Sequence, residues 1–137
     1  MEKLLIDCNI LIDWLTDRPP FSIYANKLLV LIENKIVKGL VSPLTLSNTY
    51  YILRKQTNKK IANEFLIDVL NLFSIVDITK EITLSAIKNR YKDFEDDLHY
   101  QTAIKNNIDF LITRNKADFL KNKIQIMTAE EYLKLKR

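Results

Sequence analysis

The chain has 137 residues, of which 47% are hydrophobic and 28% are charged, and this balance is typical of one globular domain spanning residues 1–137. A secretory or membrane-spanning segment is not expected, because no basic and apolar leader precedes Lys3 and no apolar run approaches the roughly 18 residues that a span requires. Cys8 is the only cysteine, which excludes an intrachain disulfide and makes the cytoplasm the expected location.

The formal net charge is +4 although acidic residues cluster at several points, so the positive charge must lie elsewhere on the surface. This balance favours a polyanionic partner, while the alternative for any single basic patch is a solvated helix face. The basic residues concentrate at 54–55, 59–60, 88–92, 121–123 and 134–137.

Short apolar runs alternate with stretches of helical periodicity along the chain. In chain order, the pattern predicts a strand at 4–6, helices at 10–15 and 23–34, a strand at 40–42, helices at 45–56 and 60–73, a strand at 74–78, helices at 79–89 and 93–107, and strands at 109–113 and 125–127. Thr128 and Glu131 form a capping-box pattern that opens a last helix. Because strands alternate with helices and no hairpin turn of the Asn-Gly kind occurs, we expect an α/β domain with a mainly parallel, roughly five-stranded sheet flanked by helices.

Three acidic stretches follow apolar runs at distant points of the chain: Asp7, residues 93–97 and Asp118. Ligands of an open parallel sheet bind beyond the carboxyl ends of its strands, so we expect Asp7 and Asp118 to reach the same crevice. Carboxylates are oxygen ligands suited to Mg²⁺ or Mn²⁺. Two such charges about 5 Å apart repel by roughly 3 kcal/mol at an effective dielectric constant of about 20, so a cation or proton is expected to relieve them.

The acidic residues of 93–97 also have a purely structural interpretation. An Asp or Glu in the first turn of a helix contributes about 0.3–1 kcal/mol by opposing the helix dipole. Asp93, Glu95, Asp96 and Asp97 all fit this pattern. For this segment taken alone, helix stabilisation is the simpler explanation.

Three ordered motifs resemble those of the PIN domain family. The stretch Leu5-Ile6-Asp7-Cys8-Asn9-Ile10-Leu11-Ile12-Asp13 is similar to the opening strand and helix of that family, whose usual form is Asp-Thr-Asn followed by apolar residues. Two later stretches resemble later motifs of the same family: Asp93-Phe94-Glu95-Asp96 with Thr102-Ala103-Ile104, and Thr113-Arg114-Asn115 with Asp118-Phe119. The likeness covers essentially the whole chain and implies a PIN-like three-layer fold.

PIN domains of this size are similar to the VapC-type toxins of bacterial toxin–antitoxin pairs. The resemblance implies an endoribonuclease that uses Mg²⁺ or Mn²⁺ to hydrolyse RNA phosphodiesters with a metal-activated water. It also implies a small antitoxin protein as partner and a homodimer, with no membrane association. Asp7, Asp96 and Asp118 are the implied catalytic residues and metal ligands.

The resemblance also suggests residues that support the metal or position the substrate: Asn9, Asn48, Asp93, Thr113 and Asn115. Candidate RNA contacts are Arg54, Lys55 and Arg114, although an ion pair with a neighbouring acid is an equally simple role for Arg114. Asp13 is typical of the family and is expected to be structural. Trp14 is expected in the core, and Tyr50, Tyr51, Phe65 and Phe73 in the core or a dimer interface.

One position departs from the family pattern. PIN domains usually carry a glutamate on the helix after the second strand, where this chain has Asn48. An amide oxygen still coordinates a hard cation but brings no negative charge, so metal affinity is expected to be weak. The main alternative is therefore a PIN domain of low or no activity that binds RNA or a protein.

Other classes fit the same residues less well. A phosphate-transferring hydrolase of the haloacid dehalogenase type needs Asp-x-Asp after the first strand, but position 9 is Asn. A response-regulator receiver needs a pair of acids at the end of that strand, which here supplies only Asp7. His99, three residues after Asp96, is expected to be an ordinary histidine without a catalytic role.

Overall fold

A computed structural model describes residues 1–89, 93–115 and 124–136. Its strands are β1 (Lys3–Ile6), β2 (Lys38–Val41), β3 (Ser74–Ile75), β4 (Phe110–Ile112) and β5 (Gln125–Met127). They form one sheet in the order β3-β2-β1-β4-β5, and every neighbouring pair is parallel. The carboxyl ends of these strands therefore all lie at the same edge, and the predicted parallel α/β sheet is confirmed.

The helices of the described residues are α1 (Cys8–Thr16), α2 (Phe21–Glu33), α3 (Pro43–Gln56), α4 (Lys59–Leu72), α5 (Lys80–Lys88), α6 (Phe94–Lys105) and α7 (Ala129–Leu135). Side-chain caps set several of their starts. Ser42 Oγ accepts a 3.1 Å bond from Thr45 N at the start of α3. At α7, Thr128 and Glu131 form both bonds of the predicted capping box.

Three predicted elements have wrong boundaries for reasons of capping and pairing. Helix α1 begins at Cys8 and not at residue 10, because Asp7 caps it directly after β1. Strand β2 spans residues 38–41 and not 40–42, because Ser42 already caps α3. Strand β3 stops at Ile75 and not at residue 78, because its register partner β2 ends at Val41 and offers no further strand to pair with.

Alternating side chains of the strands fill two cores, one on each face of the sheet. Leu4 and Ile6 of β1 pack into the core beneath α1 to α4 and α7, whereas Leu5 packs into the core beneath α6. This arrangement gives three layers, helix, sheet and helix. Tyr51 is 60% exposed and lies outside both cores, so a core position is wrong for it, and the predicted interface position stays a prediction.

Gly39 lies inside β2, where two side chains leave no room for a Cβ atom. A Cβ built at this position would lie 2.8 Å from Ile32 Cδ1 and 2.8 Å from Phe73 Cδ2. The side chains of Ile32 in α2 and of Phe73, which ends α4, would therefore have to shift to admit any other residue type. Among the described residues, no helix combines the length and the apolar character needed to cross a bilayer.

Candidate active site

The residues that follow β1 and β4 meet at the carboxyl edge of the sheet. Asp7 follows β1 and Thr113 follows β4, and the two strands pair in register from Leu4 to Ile6. Asp7 N donates a 3.0 Å bond to Ile112 O, which continues the strand pairing into the site. The position of the Asp7 carboxylate is therefore determined by two buried strands.

Three groups donate hydrogen bonds to the Asp7 carboxylate. Cys8 N donates to Oδ1 at 2.7 Å, as the first amide of α1, and Thr113 Oγ1 donates to Oδ2 at 2.8 Å. Asn9 Nδ2 lies 3.5 Å from Oδ2. These bonds fix the orientation of a half-buried carboxylate.

Residues 113–115 form a second side of the site. Thr113 is fully buried, and its Oγ1 also accepts a 3.1 Å bond from Asn115 N. Arg114 N donates a 3.4 Å bond to Asn9 Oδ1. The structure thus brings Asn9 and Thr113 to Asp7 as the sequence predicted, whereas Asn115 contributes here through its backbone amide.

Helix α6 presents its amino terminus at the same edge of the sheet. Its far end lies at the opposite edge, where Lys3 Nζ donates a 3.2 Å bond to Asn106 O. Asp93 caps the helix by accepting bonds from the amides of Glu95 and Asp96 at 2.9 and 3.2 Å. Asp93 therefore stabilises the start of the helix, which is the structural alternative given for this segment. Asp96 is half-buried and lies in the first turn, at the same edge of the sheet as the site.

Asn48 reaches from α3 to the acidic turn of α6. Its Nδ2 donates a 2.7 Å hydrogen bond to Glu95 Oε1. His99, one turn further along α6, places Nε2 3.9 Å from the same oxygen and is 3% exposed. The neighbouring His99 imidazole is the largest cause of a lowered pKa at Glu95, and the Asn48 bond adds to it.

The pKa of the Cys8 thiol is affected by the negative charges of this region. This pKa is raised to about 12, first by burial and then by the charges of Asp7 and Glu95. Both carboxylates therefore act on the same point at the start of α1. The thiol stays protonated at neutral pH and is a poor nucleophile.

Comparison with known proteins decides the family. A family model described as a PIN domain matches residues 3–117. The chain belongs to the PIN domain family. Its sequence is 28% identical over 139 residues to a protein of Aquifex aeolicus (strain VF5) named Ribonuclease VapC1, a match that covers 96% of this chain and 93% of that protein.

Solved structures share the PIN fold at low sequence identity. A toxin–antitoxin complex from Klebsiella pneumoniae matches with a TM-score of 0.70 and 23% identity, covering 92% of this chain and 97% of that one. VapC20 from Mycobacterium tuberculosis, described as a toxin that cleaves the sarcin–ricin loop, matches with a TM-score of 0.64 and 14% identity, covering 79% and 86%. At this identity the likenesses show a common fold.

The predicted metal ligands of this PIN domain are only partly described. Asp7 and Asp96 lie at the same sheet edge, and Asp118 lies outside the described residues. Within residues 1–89, 93–115 and 124–136, no three His, Cys, Asp or Glu side chains are grouped closely enough to hold a metal ion. The carboxylate donors at this edge nevertheless have the hard oxygen chemistry that Mg²⁺ and Mn²⁺ prefer.

The candidate RNA contacts of the PIN domain lie in two different settings. Arg54 and Lys55 are exposed in the last turn of α3, and Lys55 Nζ lies 4.4 Å from the centroid of the Tyr51 ring. Lys55 is seven residues after Asn48, which places it on the same helix face about 10 Å further along the axis. Arg114 instead places Nε 3.0 Å from Asp13 Oδ2, so it forms the ion pair with a neighbouring acid that was the alternative to an RNA contact.

Glu95 and His99 belong to this region, although the sequence pattern did not assign them to the site. Glu95 is predicted as part of the acidic stretch 93–97, with helix stabilisation as the simpler role, and the structure pairs it with Asn48 and places it beside His99. The signal was available as the spacing from Glu95 to His99, four residues apart on a helix and so on one face. The contact with Asn48 had no such signal, because it joins residues 47 positions apart.

Proposed function

We propose that this PIN domain is a toxin-like, metal-dependent endoribonuclease. The observation that carries the proposal is the Asp7 carboxylate, which Thr113 holds at the carboxyl edge of the sheet beside the acidic first turn of α6. The similarity to a protein named a ribonuclease over 96% of the chain supports the same activity here.

Mg²⁺ or Mn²⁺ is the proposed cofactor, with Asp7, Asp96 and Asp118 as its ligands. When bound, such an ion supplies an activated water and neutralises charge on the phosphate. The contribution of the chain is to orient the ligands: Thr113 and Asn9 hold Asp7, while Asp93 fixes the first turn that carries Asp96. Asn48 donates a hydrogen bond to Glu95 at the border of the same region, and His99 lies beside it.

RNA is the proposed substrate, in single-stranded or looped form, because its backbone and bases are accessible there. The net charge of +4 favours a polyanion, and exposed Lys55 lies on the Asn48 face of α3. We therefore place part of the RNA path along α3, towards Arg54 and Lys55. Cleavage of cellular RNA implies action in the cytoplasm.

A cleavage assay with matched variants tests the proposal. Labelled single-stranded and hairpin RNAs are incubated with the purified chain in Mg²⁺, in Mn²⁺ and in excess EDTA. Asp7→Asn keeps a good helix cap but removes the charge. Its control is Asp17→Asn, the same change at the other end of α1, where Asp17 is exposed and adopts the left-handed conformation that Asn tolerates.

We expect divalent-dependent cleavage by the wild type and by Asp17→Asn. Asp7→Asn should lose more than about 100-fold of the rate, since even groups that only support a metal are worth about 10–100-fold. Undiminished cleavage in EDTA, or by folded Asp7→Asn, would contradict the proposal.

A small antitoxin is the proposed protein partner, lying over the cleft and the helices near residues 50–60, and the chain is proposed to form a homodimer. The structural similarity to a toxin–antitoxin complex supports such a partner. Co-expression with the product of the adjacent gene, followed by pull-down and mass measurement in solution, tests both statements. A monomer that captures no adjacent gene product would contradict them.

A binding module without catalysis is the second candidate. Asn48 favours it, because the amide replaces the usual glutamate and is engaged with Glu95. Tight RNA binding on filters together with no cleavage in Mn²⁺ would support this candidate and exclude the nuclease.

A further inference from the structure

Two side chains of α1 contact the segment that follows β4. Asn9 and Asp13 are four residues apart and so lie one above the other on the same face of the helix. Asn9 Oδ1 accepts a 3.4 Å bond from the Arg114 amide, and Asp13 Oδ2 lies 3.0 Å from Arg114 Nε. Helix α1 therefore holds Arg114 by both its backbone and its side chain.

Asp13 is a buried acid, and the nearest positive charge that the structure describes is that of Arg114. Its side chain is 1% exposed, whereas that of Arg114 is 27% exposed. Among the described residues, neither Asp13 oxygen has a well-directed hydrogen bond, so the contact with Arg114 is an ion pair without one. Burial raises the pKa of Asp13, and the charge of Arg114 opposes this more than that of Arg18 does.

Arg114 also contacts a second helix. Its guanidinium carbon lies 4.4 Å from the centroid of the Phe21 ring, at the start of α2. A guanidinium over an aromatic face is attracted by the ring quadrupole. The side chain is thus held between α1 and α2.

We propose that the Asp13–Arg114 pair is a positioning device that fixes residues 113–115 against α1 and so keeps the Thr113 hydroxyl on Asp7. A buried ion pair is a poor source of net stability, but in some proteins such a pair specifies geometry. Here it joins α1 to the residue directly after Thr113. The inference rests on the proposed function, in which Asp7 is the essential carboxylate.

Amide hydrogen exchange tests the pair without depending on activity. The Arg114 and Asn115 amides donate to Asn9 Oδ1 and Thr113 Oγ1, so their exchange rates report whether the segment is held. The test variant is Asp13→Asn. The matched control is Arg18→Gln. It removes the other cation that acts on Asp13, and position 18 lies far from the segment 113–115 along the chain.

We expect these two amides to exchange about tenfold or more faster in Asp13→Asn, with unchanged protection in β1 and β2 and no change in Arg18→Gln. Arg114→Lys, which keeps the charge opposite Asp13, should retain most of the protection. Rates within about twofold of wild type in Asp13→Asn would overturn the proposal. A uniform loss of protection across the sheet, or an equal effect of Arg18→Gln, would also overturn it.

If Asp13→Asn does not fold, the double variant Asp13→Asn/Arg114→Gln replaces it, because neither residue then carries a charge without a partner. The amides of residues 114 and 115 should again exchange about tenfold or more faster than in the wild type. A second arm measures RNA cleavage, where a loss in kcat with an unchanged KM is expected. Faster exchange in a chain whose wild type cleaves no RNA would remove the proposed function but leave the positioning pair. Normal RNA cleavage by the wild type, together with unchanged exchange in Asp13→Asn, would remove the positioning pair but leave the proposed function.

Discussion

Asn48 Nδ2 lies 2.7 Å from Glu95 Oε1, so an amide of α3 holds a carboxylate of α6 at the border of the candidate site. A glutamate at position 48, the usual residue of the family, would instead place two carboxylates against each other. The amide is therefore matched to Glu95. In this chain the acid of this region comes from α6, while α3 supplies the hydrogen-bond donor.

Asn48→Glu should consequently have opposite effects without and with metal. We expect a lower melting temperature in EDTA, because like charges at hydrogen-bond distance repel, and tighter Mn²⁺ binding, because a cation relieves that repulsion. Mn²⁺ titration calorimetry and thermal melts measure both quantities. Asn63→Glu is the control, the same change at an exposed position of α4.

The double variant Asn48→Glu/Glu95→Gln separates charge from position. It exchanges the donor and the acceptor between the two helices, since an amide on α6 would donate to a carboxylate on α3. Stability in EDTA should therefore return towards the wild-type value. Equal or weaker Mn²⁺ affinity in Asn48→Glu would show that position 48 lies outside the metal site.

Thr113→Val should lower RNA cleavage by about 10–100-fold, the usual effect of removing a group that orients a metal ligand. The valine preserves the shape of a fully buried side chain but removes the bond to Asp7 Oδ2. Thr113→Ser keeps the hydroxyl and should stay close to wild type. Single-turnover rates on one RNA oligonucleotide measure the difference, and equal rates for valine and serine would contradict the assigned role.

Glu95 should stabilise the fold in a pH-dependent manner. Its pKa in the folded chain is lowered from 4.5, first by the neighbouring His99 imidazole, so its contribution is present above about 4.5 and is lost as the pH falls through the lowered value. Glu95→Gln should therefore reduce the melting temperature at pH 6, and this reduction should shrink as the pH falls through the lowered pKa of Glu95. Exposed Glu64→Gln is the control, and a pH-independent loss would exclude this explanation.

Lys55→Ala should weaken RNA binding and reduce its salt dependence. One lost phosphate contact to a single strand lowers the slope of log K against log salt by about 0.7. The control is Lys38→Ala, an exposed lysine at the amino edge of β2, on the opposite side of the sheet from the site. Filter binding at several salt concentrations gives the slope, and identical slopes for both variants would remove α3 from the RNA path.

Gly39→Ala should destabilise the domain by about 1–3 kcal/mol, the usual cost of overpacking a core. The added Cβ would lie 2.8 Å from Ile32 and Phe73, which pack tightly over β2. Urea unfolding measures the change in the free energy of unfolding. A loss below about 0.5 kcal/mol would mean that these side chains move aside without cost.

Local pattern determined most of the fold in advance. Apolar runs and periodicity located the strands and most of the helices of the described residues, since burial of one face is encoded in a few consecutive positions, and a capping box located α7. Errors occurred at the ends, as at β3, where the strand stops when its partner stops. Pairing length depends on a neighbour that is distant in sequence, and local pattern does not contain it.

The candidate site divides in the same way. The position of Asp7 after a buried strand predicted a carboxylate at the sheet edge, because parallel strands end together. Which groups surround it was decided by tertiary structure: Thr113 meets Asp7 across 106 positions, and Asn48 meets Glu95 across 47. Arg114 could be read as an RNA contact or an ion pair, and only the packing of α1 and α2 around it selected Asp13 and Phe21 as its partners. Hydrogen bonds and ion pairs depend on distances of a few ångströms between elements, and those distances are set by how the two cores pack.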